Sequence, residues 1–206
     1  MLSSVPQADQ SHVVGDATIP LRHITLANLF DECEIKFGDR KAVEFPEYNL
    51  SLTYKELIER SNYFSQSLLS NGLYKGDRIG IWAPNRPEWL ICQIAAAKLG
   101  LILVNINPAY RKDELIYCIK KVGLKCLVFA KEFKSSKYTE IVKSILPELD
   151  LQKSTRLHFA SFPTITTLIE MSDYPTNGIL SFNSLCRKRS IDMTSRVKLI
   201  SKNLNP

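Results

Sequence analysis

The sequence predicts an α/β protein built on a mainly parallel, doubly wound sheet with helices on both faces. Strand-like runs alternate with helical stripes through most of the chain. The run GDRIGIWAPNRPEWLICQIAAAKLGLILVNINPAYRKDE, residues 76–114, joins strand, helix, strand and helix with almost no connecting residues. Residues 101–106 are nearly continuously apolar, the pattern of a parallel strand covered on both faces. Such alternation reads as βαβ units.

Residues 1–24 form a polar, irregular lead-in containing Pro6, Gly15 and Pro20, with Val13 and Val14 placed to pack on the body. Thr25 then precedes a helical stripe of Leu26, Leu29, Phe30, Cys33 and Phe37 that Gly38 stops. Residues 42–45 and 50–53 alternate like two short strands around the turn-prone Pro46 and Asn49. Thr53 and Glu56 have the spacing of a capping box, each side chain satisfying a free backbone N–H of the other's turn. The helix they open carries Leu57, Ile58, Phe64, Leu68 and Leu69 and stops at Asn71-Gly72.

Residues 78–83 read as the next strand, and Asn85, with Glu88 three residues on, as the cap of a helix with Pro87 in its first turn. Residues 89–99 are apolar on nearly every side, so this helix is expected to be deeply buried up to Gly100. Leu115, Ile116, Ile119 and Val122 give another helix, closed by Gly123 and followed by a strand at 126–130. Ile141, Val142, Ile145 and Leu146 give a helix stopped at Pro147, and 165–171 reads as a further strand.

The 206 residues are 45% hydrophobic and 23% charged, an ordinary globular composition. No apolar run reaches the roughly 18 to 20 residues of a transmembrane helix, so no transmembrane segment is expected. The net charge of +6 raises the question of a polyanion partner. Its lysines, including Lys120, Lys121, Lys125, Lys131, Lys134, Lys137 and Lys143, are spread along helix ends and turns, where cations suit the helix dipole. Arg187-Lys188-Arg189 is the one tight basic cluster, too short for a nucleic-acid signal, and no nucleic acid is expected as partner. The five cysteines, Cys33, Cys92, Cys118, Cys126 and Cys186, are odd in number and widely spaced without a CxxC pair. They argue for a reducing compartment and against a disulfide framework or zinc site, with Cys92, Cys118 and Cys126 as small core side chains. The first residues show neither a signal-peptide core nor an Arg-rich presequence, Arg22 being the only lysine or arginine before Lys36.

A set of short motifs carries a family resemblance: Leu52-Thr53-Tyr54, Gly76-Asp77-Arg78, Pro84-Asn85, Glu88-Trp89, Gly100, Asn105-Ile106-Asn107-Pro108 and Glu114-Leu115. In this order they resemble the N-terminal part of the acyl-CoA synthetases in the adenylate-forming (AMP-binding) superfamily. Ile19-Pro20-Leu21, residues 104–110 and residues 120–132 are most similar to the mitochondrial medium-chain acyl-CoA ligases. The resemblance runs from about Ser11 to the end. It implies that 25–206 is a partial AMP-binding domain, the N-terminal part of the large adenylate-forming domain, and that its sheet is incomplete. It also implies a ligase acting on a medium-chain fatty acid, ATP and coenzyme A with Mg²⁺, and a mitochondrial location, with the cytoplasm as the alternative.

In that family the phosphates and the acyl carbonyl are met by a Ser/Thr/Gly-rich loop, an aromatic-Gly-x-Thr-Glu motif, a ribose-binding Asp and a lysine of a small C-terminal domain. None of these motifs occurs in this sequence, and the glycines form neither GxGxxG nor GxxxxGK[ST]. No catalytic, cofactor-binding or metal-binding residue is therefore assigned, and no cofactor is expected on this segment itself. The resemblance places the phosphate loop shortly after Pro206, so the chain is expected to be an inactive piece of the ligase. A naturally short, non-catalytic interaction or regulatory module is the alternative; a small nucleotide-binding domain is a weaker one. Exposed sheet edges and apolar faces, including parts of 89–104, are expected to favour association.

Individual residues have bland readings beside sharp ones. His12, His23 and His158 lack partners at ligand spacing and read as ordinary surface or core histidines. Asp77 and Arg78 read as a turn and ion-pair site before a strand. Trp82 and Trp89, candidates for stacking on adenine, read as core fillers among Ile79, Ile81, Leu90 and Ile91. Glu56 and Glu88 read as helix caps rather than acid–base groups.

Overall fold

The short apolar runs of the sequence become the strands of one five-stranded parallel sheet, and the amphipathic stripes become the helices that cover it. The computed structural model describes residues 15, 18–151, 154, 156–188 and 193–206. Pro6, His12, Val13, Val14 and Arg189 lie outside the described residues.

The chain enters through α1 (Leu26–Phe37), capped by Thr25 Oγ1, which accepts from the Asn28 N–H at 3.1 Å. β1 (Lys41–Phe45) and β2 (Leu50–Thr53) pair antiparallel as a hairpin. Its turn is a 3₁₀ helix, Pro46–Tyr48, closed by Asn49 at φ 46°. α2 (Tyr54–Ser70) opens with the expected capping box: Thr53 Oγ1 accepts from Glu56 N–H, and Glu56 Oε2 accepts from Thr53 N–H at 2.8 Å.

The sheet is laid down by β3 (Arg78–Trp82), α3 (Pro87–Leu99), β4 (Ile102–Ile106), α4 (Lys112–Val122) and β5 (Cys126–Phe129). A small hairpin, β6 (Glu132–Phe133) and β7 (Ser136–Lys137), leads into α5 (Tyr138–Ile145) and a 3₁₀ turn at Pro147–Leu151. β8 (Thr167–Glu170), β9 (Leu180–Ser181), α6 (Phe182–Leu185) and α7 (Thr194–Lys202) follow. The strand order is β4-β3-β5-β8-β9, every neighbouring pair parallel. In order of appearance this is 2-1-3-4-5, the flavodoxin-like winding. The chain moves outward from β3 to β4 and then back across β3 to β5. Right-handed crossovers in opposite directions put their helices on opposite faces. Accordingly α3 packs with α1, α2 and α7, whereas α4 packs with α5.

The core runs through both layers: Ile79, Ile81, Trp82, Leu127, Val128, Phe129, Leu168 and Ile169 from the strands are at most 1% exposed. Phe64 of α2 meets Phe182 of α6 with ring centroids 4.4 Å apart. Ser67 Oγ donates to the Leu185 carbonyl at 2.8 Å, fixing α6 to α2.

Two expectations are corrected. The apolar run 101–106 does not become a strand covered on both faces: β4 is the edge of the sheet, and Ile102 is 52% exposed. Asn85 is not the cap of α3 either. Pro87 is the first helical residue, so the cap position falls on Arg86, whose guanidinium holds Glu88 at 2.8 and 3.2 Å. α3 is otherwise as buried as its composition requires, with Ile91, Cys92, Ile94, Ala95, Ala96 and Leu99 at most 3% exposed. Among the described residues no helix is long and apolar enough to cross a membrane.

Candidate functional site

In doubly wound sheets, ligands bind outside the carboxyl ends of the strands where the strand order reverses. Here that point lies between β3 and β5, beyond Trp82 and Phe129. It is filled by aromatic rings. Trp82 stacks on Tyr138, the first residue of α5, with centroids 3.7 Å apart and planes 11° from parallel, both rings fully buried. Tyr138 Oη donates to the Pro108 carbonyl at 2.5 Å, tying the segment after β4 to the same end. Burial pushes that hydroxyl up to about 12. The indole N–H of Trp82 has no partner among the described residues.

Beside the stack, Glu170 ends β8 and is 1% exposed. Its carboxylate accepts from Thr139 Oγ1 at 2.5 Å and from Ser172 Oγ at 2.6 Å. A buried carboxylate needs such donors, and the first turn of α5, which contributes Thr139, adds the favourable end of a helix dipole. The arrangement braces three strand ends. It offers a rigid wall for whatever lies beyond them, and shields the carboxylate from solvent.

A second polar cluster lies between α2, α3 and α6, in a cleft of about 440 Å³ lined by Tyr48, Arg60, Glu88, Asp173, Cys186 and Arg187 among others. Burial opposes the Arg86 charge, but the hydrogen bonds and charge of Glu88 outweigh it and hold the guanidinium above its ordinary value. Arg86 also lies over the Tyr48 ring, 5.0 Å from its centroid. A third, of about 550 Å³, lies between α1, α2, α3 and α7.

The residues singled out in the sequence are dispersed. Asp77 does serve as turn and ion-pair residue: Oδ2 accepts from Tyr74 N–H at 2.7 Å and pairs with Lys125 Nζ at 2.7 Å. Arg78 instead donates to the Val122 and Gly123 carbonyls, each at 3.0 Å, closing the end of α4. Trp82 is core, while Trp89 is half-buried and donates to the Ala83 carbonyl at 3.2 Å. Glu56 caps α2; Glu88 pairs with Arg86 and is no cap. His23 and His158 are exposed and far apart in the sequence. Cys92 and Cys126 are buried, Cys33, Cys118 and Cys186 partly so, and all five are free thiols. Burial drives the Cys92 thiol up to about 12 and raises those of Cys126 and Cys186 well above the usual range.

Sequence reasoning missed Glu170, Thr139, Lys98 and Ser201. One signal was available: Lys98 is the only charge among residues 89–99, so a buried partner was due.

The fold recurs in solved acyl-CoA ligases. A putative long-chain-fatty-acid CoA ligase from Rhodopseudomonas palustris aligns with a TM-score of 0.65 at 22% identity, covering 80% of this chain and 36% of that one. The N-terminal domain of FACL13 from Mycobacterium tuberculosis aligns at 0.64 and 20%, covering 82% and 37%. Residues 30–192 match the AMP-binding enzyme family. The chain belongs to that family. Among its relatives, medium-chain acyl-CoA ligase ACSF2, mitochondrial, is 36% identical over 181 residues in Mus musculus and 37% over 177 in Homo sapiens, covering 88% and 86% of this chain. The putative acyl-CoA synthetase YngI of Bacillus subtilis is 33% identical over 159 residues, covering 77%. The chain spans 29% of the length of each of these relatives.

Proposed function

We propose that residues 25–206 are the N-terminal part of the large domain of a fatty acid–CoA ligase, with 1–24 as a lead-in, and that the segment by itself is inactive. The observation that carries this reading is the 37% identity to a ligase named for medium-chain acyl groups, joined to the absence of any phosphate loop in the sequence. The full ligase would join a medium-chain fatty carboxylate to ATP as an acyl-adenylate and pass the acyl group to coenzyme A. A carboxylate is a poor electrophile, and adenylation supplies its leaving group; Mg²⁺ and backbone N–H groups stabilise the charge that develops on phosphate oxygens.

This segment's contribution is the scaffold. The Trp82–Tyr138 stack and the Glu170 brace close the carboxyl ends of β3, β5 and β8, against which a substrate-binding half is positioned. The exposed edge of β4 is a surface through which the rest of a ligase associates, and the relatives' names favour mitochondria as the compartment. Acyl-hydroxamate trapping with octanoate, ATP and Mg²⁺ tests the reading on residues 1–206 and on the product of the reading frame extended past Pro206. Hydroxamate from the extended product alone supports it. Hydroxamate from the 206-residue chain, or a stop codon directly after Pro206, refutes it.

A further inference from the structure

α1, α2, α3 and α7 enclose a cleft of about 550 Å³, within the size range of small-molecule sites. Two buried polar groups in its walls have unfilled hydrogen bonds. Lys98, 4% exposed, carries three N–H donors, and its bonded acceptor among the described residues is Asp31 Oδ1 at 2.5 Å. Ser201, 7% exposed on α7, has a hydroxyl with no partner among the described residues. Native proteins rarely leave such groups unfilled. Gln66 in the same wall shows the usual outcome: its amide accepts from Met193 N–H at 3.0 Å and donates to Thr194 Oγ1 at 3.3 Å.

Charge indicates the sign of what fits. The lining holds three cations, Lys98, Lys198 and Lys202, against two carboxylates, Asp31 and Glu34, an excess of one positive charge. Ile35 and Val197 supply an apolar wall beside them. Position separates the cleft from acyl activation. Lys98 stands in the last turn of α3, which delivers the chain to the start of β4. The cleft therefore lies toward the amino ends of the strands, away from the carboxyl ends where doubly wound folds put their crevice.

We propose that this cleft binds a small organic carboxylate, its oxygens accepting from the two spare N–H groups of Lys98 and from Ser201 Oγ, its apolar body resting on Ile35 and Val197. Ser201 Oγ is shielded from bulk solvent. The site is separate from the proposed chemistry and needs no ATP.

The test is a nuclear magnetic resonance titration of the ¹⁵N-labelled 206-residue chain with sodium butyrate. Butylammonium chloride at matched ionic strength reverses the charge, and inorganic phosphate supplies an anion without an apolar body. Butyrate is expected to give saturable shifts at the Lys98, Val197 and Ser201 amides. Ser201→Ala should weaken binding about tenfold and leave the unfolding midpoint unchanged or raised, since it removes an unpaired hydroxyl. Lys198→Gln, at an exposed position, should weaken it about two- to threefold and flatten its salt dependence. No saturable shift, equal response to butylammonium, phosphate binding as tightly as butyrate, or full affinity in Ser201→Ala would each overturn the proposal.

Discussion

Gly80 lies in the middle of β3, between β4 and β5, and a single methyl group there tests whether the two layers are as tightly packed as the structure shows. A Cβ at Gly80 would stand 2.8 Å from Leu124 Cδ1 and 2.9 Å from Ile106 Cδ1. Carbon atoms rest about 3.5 to 4.0 Å apart, and Leu124 and Ile106 are 0% and 2% exposed, with little room to retreat. Forcing a methyl into such a core costs about 1–3 kcal/mol. Against this, replacing glycine by alanine restricts the unfolded chain and stabilises by about 0.4–1 kcal/mol. The clash wins, and Gly80→Ala should destabilise by about 1–2 kcal/mol. With a urea slope of about 1–3 kcal/mol/M, the midpoint falls by roughly 0.3–2 M. Ile106→Val deletes the Cδ1 atom in conflict. Alone it should cost about 0.5–1.5 kcal/mol, yet in the alanine background it should cost less by about 0.5 kcal/mol or more. Urea unfolding of the parent, both single variants and the double variant measures the coupling. A Gly80→Ala chain as stable as the parent, or strictly additive effects, refutes the packing argument.

Three further outcomes follow. Glu56 is held below its ordinary value first by the backbone N–H of Thr53 and then by its hydroxyl. A carboxyl depressed on folding stabilises above its unfolded value, 4.5, and loses that contribution as pH falls through the folded value. Glu56→Gln should therefore lower the urea midpoint slightly at pH 7 and not at pH 3; a constant difference would refute the linkage. Cys92, raised to about 12 by burial, should be thiolate in on the order of one molecule in ten thousand at pH 8. Mass spectrometry after iodoacetamide should find it unmodified in the native chain and alkylated in urea, and rapid native labelling would count against the buried placement. Ile102→Lys, which puts a charge on the exposed β4 edge, should raise the monomer fraction in light scattering without lowering the unfolding midpoint; unchanged association would show that the edge does not drive it.

The fold was legible wherever local chemistry and topology agreed. Thr25, Thr53, Gly100 and Gly123 mark helix ends in the sequence and are helix ends in the structure. The apolar run 101–106 shows the limit. An apolar strand is expected between two others, but which strand becomes an edge depends on the direction of each crossover, and that is a property of the whole sheet. The hairpin β6–β7 and the elements after residue 171 were missed for a related reason. Two-residue strands carry no period to read, and α7, with Arg196, Lys198 and Lys202 on its exposed side, has only Val197 and Ser201 buried.

The sites were less legible than the fold because their members meet only in three dimensions. Glu170 is one acidic residue in an apolar strand; what makes it a brace is Thr139, 31 residues away, delivered by the turn into α5. Lys98 and Ser201 are brought together from α3 and α7, and nothing in the spacing of a lysine and a serine 103 positions apart announces a shared cleft. Yet the sequence does mark one half of each pair. A lone charge inside a stretch as apolar as residues 89–99 of α3, or inside a strand as apolar as β8, is costly unless something meets it. Among the described residues Glu170 is met by two hydroxyls, whereas Lys98 is met by one carboxylate and keeps two N–H groups to spare. That difference makes the first a structural brace and the second the wall of a binding site.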